Sequence, residues 1–152
     1  MMKKNDQQIL RDVCFSVFEQ LAFMFGDEFD EDELDIEDES FLRAVMGFKG
    51  TRLGTVIIVV PKQICNLLAR NILGIDDDQD IDEDSPVDAL KELLNTITGR
   101  LVTALFGDEV VVDLTIPETE VLDRDAWELL VADDNYLKLS IDDTPVLITM
   151  QP

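Results

Sequence analysis

Apolar residues at helical spacing open the chain. Ile9, Val13, Phe18, Leu21 and Phe25 predict a helix over 6–25 that stops before Gly26. An acidic loop follows over 27–40, with room for a short edge strand. The pattern then changes to short apolar runs at 41–48 and 52–60, the second containing the β-branched Val56-Ile57-Ile58-Val59-Val60. Lys49-Gly50-Thr51 reads as the tight turn of a hairpin. Pro61 opens a helix through Ile64, Leu67, Leu68 and Ile72 that ends at Gly74.

A second acidic loop spans 75–84. Ser85 is placed to cap a helix, with Pro86 in its first turn and Gly107 after its last residue, Phe106. Val110 to Ile116 reads as a strand closed by Pro117, and 123–132 around Trp127 as a short helix or turn. Tyr136–Ile141 and Val146–Met150 are two more strands, turning at Asp142-Asp143. Both halves begin with a long helix and end on a hairpin. Phe25-Gly26-Asp27-Glu28 and Phe106-Gly107-Asp108-Glu109 stand at corresponding helix ends. This order predicts an α+β fold, an antiparallel sheet of five or six strands with two long helices on one face and a pseudo-twofold internal repeat.

Length and composition narrow the picture. The 152 residues, 46% of them apolar, make one globular domain over 1–152. Thirty-four acidic residues against twelve basic ones give a net charge of −22, which argues against nucleic acid or an anionic membrane as partner. Half of the acids lie in the two loops at 27–39 and 76–84. With no histidine, imidazole acid–base catalysis and imidazole metal ligation are excluded. Cys14 and Cys65 sit in apolar helical patterns and read as buried reduced thiols rather than a disulfide. No apolar run reaches the ~18 residues of a membrane span, and polar Asn5-Asp6-Gln7-Gln8 replaces the apolar core of a signal peptide. The expected location is cytoplasmic.

Candidate chemistry sits on the 85–106 helix. At about 100° per residue, Leu90, Leu93, Leu94, Ile97, Leu101, Ala104 and Leu105 gather on a core side. Asp88, Glu92, Asn95 and Gly99 line up opposite, within about 60° of one another. An exposed helix face is ordinarily polar, and Asp88 near the N-terminus suits the helix dipole. Asparagine and glycine, however, are poor interior helix residues, Gly99 costing about 1 kcal/mol relative to alanine.

Asp88-Ala89-Leu90-Lys91-Glu92-Leu93-Leu94-Asn95 resembles the D-x3-E-x2-N motif of the CheC/CheX/FliY phosphatases of bacterial chemotaxis. Gly99 matches the glycine that commonly follows, and Pro117 stands about where that motif has its downstream proline. Further similarity lies in Phe18-Glu19 … Phe25-Gly26, Gly47-Phe48-Lys49-Gly50 … Gly54 and Leu68 … Leu73-Gly74. The resemblance implies two helices on a sheet with internal pseudo-symmetry. It also implies Mg²⁺-dependent hydrolysis of the aspartyl phosphate of CheY or a related receiver domain, the Mg²⁺ being carried by the receiver and no cofactor by this chain. Asn95 then suits the positioning of the attacking water, Glu92 the pairing with a receiver lysine, and Asp88 and Gly99 the rim that meets the partner.

Some relatives carry the motif on both long helices. Here Glu19 is present on the first, but Ala22 stands at the asparagine position and Phe15 at the aspartate position; alignment on the helix ends instead places Arg11 and Cys14 there. One motif per chain is the CheX arrangement, for which the resemblance implies a homodimer, through the sheet edge or the first helix. Two other readings compete. Asp76-x-Asp78-x-Asp80 resembles a calcium loop but has Ile81 and Val87 where glycine and glutamate are needed. A non-catalytic adaptor that docks a receiver domain or a flagellar component would carry the same face.

Overall fold

The structure, a computed structural model, describes residues 2–152. Four helices are present: α1 (Lys4–Ala22), α2 (Lys62–Leu73), α3 (Ser85–Phe106) and α4 (Arg124–Val131). Seven strands, β1 (Gly26–Asp27), β2 (Ser40–Gly50), β3 (Gly54–Pro61), β4 (Val112–Leu114), β5 (Glu118–Asp123), β6 (Leu137–Ile141) and β7 (Thr144–Gln151), form one antiparallel sheet. Its order is β1-β6-β7-β3-β2-β4, with β5 also on β2. This is the expected α+β fold, with seven strands in place of the five or six expected. Among the described residues no helix is long and apolar enough to cross a membrane.

The order reads the same from both edges when the halves are exchanged, β1 for β4, β6 for β2 and β7 for β3. Each half gives its edge strand to the other: β1 pairs with β6, whereas β4 and β5 pair with β2. The central pair, β3 with β7, joins the halves.

α1, α2 and α3 cover one face, and α3 packs against both of the others. The expected pair of long helices is there, and α2 adds a third. Because α3 is flanked on two sides, its buried surface is wider than one stripe and takes in Ala89, Thr98 and Val102. Ala104, expected on the core side, is exposed near the helix end. α4 covers the other face, where Trp127 stacks on Phe41 with ring centroids 4.4 Å apart. The run Val56–Val60 is unbroken because β3 is buried on both faces, Val56 and Ile58 under the three helices, Ile57 and Val59 under α4.

Several boundaries differ from expectation for local reasons. α1 ends at Ala22, not at Phe25, because Phe23 adopts the left-handed conformation (φ 56°) and its N–H bonds Glu19 O while Met24 N–H bonds Phe18 O. Gly26 serves a different purpose, since a Cβ there would lie 2.2 Å from the Phe15 ring. Ser85 is not the cap: Asp84 precedes the helix without a side-chain cap bond, and Ser85 N–H bonds Asp82 O in a turn leading in. The first hairpin turns at 51–53, one to two residues beyond Lys49-Gly50-Thr51. β5 has no counterpart in the sequence pattern: its alternation is weak because Glu118, Glu120 and Asp123 are exposed on an edge strand. The second hairpin turns as expected at Asp142-Asp143, both at positive φ.

Candidate active site

α3 owes its straight run to buried Leu90, Leu93, Leu94, Ile97 and Leu101, which fix its rotation against the sheet. That rotation turns Asp88, Glu92 and Asn95 to solvent, and all three are exposed. They line one open cleft of about 390 Å³ together with Met46, Lys91 and the segment Leu114–Pro117. Asp88, Glu92 and Asn95 are thus brought together as expected. Gly99 continues the same stripe outside the cleft, where an added Cβ would meet nothing within 4 Å, so helix packing does not require a glycine.

Neither Asp88 nor Glu92 forms an ion pair among the described residues. Glu92 uses only its backbone carbonyl locally, accepting from Thr96 Oγ1 at 3.0 Å. An unpaired carboxylate one helical turn from an exposed carboxamide can take a cation at one end and orient water at the other. No cysteine lines the cleft. Cys14 and Cys65 are buried in the core, on α1 and α2, where desolvation pushes both thiols up, Cys65 to about 12.

The opposite wall was not legible in the sequence beyond Pro117. Thr115 N–H bonds Gly47 O and Gly47 N–H bonds Thr115 Oγ1, each at 2.8 Å, holding Leu114–Pro117 beside α3. A threonine and an isoleucine before a proline was the available signal, without meaning until β4 was paired with β2.

The internal symmetry brings a counterpart cleft together from α1, β1 and β6, of about 440 Å³, lined by Arg11, Phe15, Asp27, Glu28, Phe29, Lys138 and Leu139. Glu19 is exposed but outside it, Ala22 is buried, and Cys14 is buried. Arg11 thus lies where the other cleft has a carboxylate, and no carboxamide faces this one. Elsewhere, the acidic loop after α2 is tied down by Arg70, which donates to the carbonyls of Asp76 and Gln79. Among the described residues no three acidic or cysteine side chains gather as metal ligands.

A family model described as chemotaxis phosphatase CheX matches residues 42–125, a span that includes the whole of this site. Solved structures share the fold. The chemotaxis protein CheX of Desulfovibrio desulfuricans is 16% identical, with 96% of this chain and 97% of that one covered and a TM-score of 0.68. A CheC-like superfamily protein of a Shewanella species is 17% identical, with coverage of 99% and 98% and a TM-score of 0.66. CheX of Borrelia burgdorferi, in a complex with CheY, BeF3 and Mg²⁺, is 16% identical, with coverage of 98% of each chain and a TM-score of 0.55. Among curated protein sequences none matches.

Proposed function

The chain belongs to the CheX family of chemotaxis phosphatases, and on that premise we propose that it hydrolyses the aspartyl phosphate of a CheY-like receiver domain with Asn95 and Glu92. The observation that carries this reading is the pairing of an unengaged carboxylate with an exposed carboxamide in one cleft.

An acyl phosphate is reactive already, so hydrolysis needs alignment and charge stabilisation more than covalent help. The Asn95 carboxamide accepts from and donates to one water, holding its oxygen in line with phosphorus without repelling the phosphoryl oxygens. Water oxygen bonds to phosphorus as the bond to the aspartyl oxygen breaks. The receiver recovers its carboxylate and phosphate leaves with the water's oxygen. Glu92 pairs with a receiver lysine and fixes the approach of α3. Mg²⁺ on the receiver neutralises charge on the phosphoryl group. Asp88 and Gly99 border the same approach, Gly99 by leaving backbone bare.

The experiment is phosphate release from a phosphorylated receiver with Mg²⁺, comparing the wild type with Asn95→Ala. Wild-type turnover in a folded Asn95→Ala protein removes the asparagine from the chemistry. Tight binding of the receiver without any wild-type turnover makes the protein an adaptor.

A further inference from the structure

β4 and β5 are one edge strand interrupted by a bulge. Leu114 stands opposite Phe48 and Glu118 opposite Val45, so four steps along the edge match three along β2. The extra residue lies within Thr115-Ile116-Pro117, and a bulge there re-aims a side chain out of the sheet. Ile116 is that side chain, 84% exposed. Its backbone is held from both sides. Thr115 makes the two 2.8 Å bonds with Gly47, and Pro117 confines the residue before it to extended conformations. Gly47 lets Thr115 come this close, as an added Cβ would lie 3.3 Å from Thr115 Cγ2. A large aliphatic side chain is therefore presented to solvent on a rigid mount, in the cleft that holds Glu92 and Asn95.

Resting on the phosphatase reading above, we propose that Ile116 is the apolar docking contact that seats the receiver domain against Asn95 and selects among receivers, and that Thr115 is the residue that positions it. Net charge does not supply the attraction. The chain carries a net −22, and the cleft sets Lys91 against Asp88 and Glu92. The receiver's phosphorylated site is itself anionic, so beyond the single Glu92–lysine pair affinity has to come from short-range contact. Ile116 is the most exposed large apolar side chain among the described residues and lies within the cleft. The fitting partner has an apolar patch beside its aspartyl phosphate.

The test is steady-state hydrolysis of a CheY-type receiver phosphorylated with acetyl phosphate, with calorimetric binding of the beryllofluoride-loaded receiver and thermal melts alongside. Ile116→Ser should raise KM and the dissociation constant about ten-fold or more, the scale of one aliphatic side chain buried or left in water. The kcat should stay within about two-fold and the melting temperature should not change. Thr115→Val, which keeps the shape and removes the acceptor of Gly47 N–H, should raise KM several-fold, and Thr115→Ser should restore it. In the double variant Thr115→Val should add little to Ile116→Ser, since it acts through the same contact. Wild-type hydrolysis with an Ile116→Ser KM indistinguishable from wild type overturns the docking role. A loss in kcat alone also overturns it. A Thr115→Ser variant as defective as Thr115→Val, or fully additive effects, overturns the positioning role. If the wild type binds the beryllofluoride-loaded receiver in an Ile116-dependent way but hydrolyses nothing, the docking contact stands and the phosphatase reading falls. A wild type that neither hydrolyses nor binds overturns both.

Discussion

Asn95 and Glu92 are one helical turn apart, yet their removal should leave different signatures. Asn95→Ala takes away the group that aligns water and little of the docking surface, so kcat should fall on the order of 10²-fold or more with binding nearly intact. Glu92→Ala removes an ion pair to the partner, so its defect should appear in affinity as well and shrink as salt is added. Steady-state kinetics at two ionic strengths separate the two. The buried thiols give a pH signature. Burial holds Cys65 protonated up to about 12, and Cys14 likewise lies above its ordinary value of 9.0. Above that ordinary value the unfolded chain loses protons that the folded chain keeps. Stability should therefore be independent of these thiols at neutral pH and fall between about pH 9 and 12, by roughly 1.4 kcal/mol per pH unit for each thiol. Denaturant titrations of wild type and a Cys14→Ala/Cys65→Ala variant should show a steeper alkaline decline in the wild type. These residues were legible because each sits in a helix whose period reports its direction. Thr115 and Ile116 were not, because their meaning depends on β2, almost seventy residues earlier for the Gly47–Thr115 bond.

The helix α3 carries a fault that nothing inside this chain requires. Gly99 lies in open space, so Gly99→Ala should stabilise the protein by about 0.5–1 kcal/mol, read as a higher melting temperature. A loss of receiver binding in that stabilised variant places the partner's backbone at Gly99; unchanged binding removes the residue from the interface. Gly26→Ala should act oppositely. The Phe15 ring would have to move away from the new methyl, costing about 1–3 kcal/mol. α3 was readable almost to the residue because a long periodic stretch dominates local noise. The edge strand was readable only as far as β4, because Pro117 ends a ladder in most contexts and here sits inside a bulge between β4 and β5.

For the whole molecule, charge and topology matter most. The net charge of −22 repels itself in the compact state. The melting temperature should rise between about 0.01 M and 0.15 M sodium chloride, as the Debye length shortens from about 30 Å to 8 Å; a flat response would mean that the acidic loops already keep their charges apart. α2 and the opposite-face α4 show what the period alone could not give, since which face a short helix covers is decided by long-range packing around β3.

The exchange of edge strands between the halves has a consequence for how the protein is made. When the first half leaves the ribosome, β2 has its hairpin partner β3 but must wait for β4 and β5, and β3 must wait for β7. Neither half is a finished object. Severing the chain within the acidic segment between α2 and α3 should give two fragments that aggregate apart and rebuild the sheet together, each acting as the template on which the other completes itself.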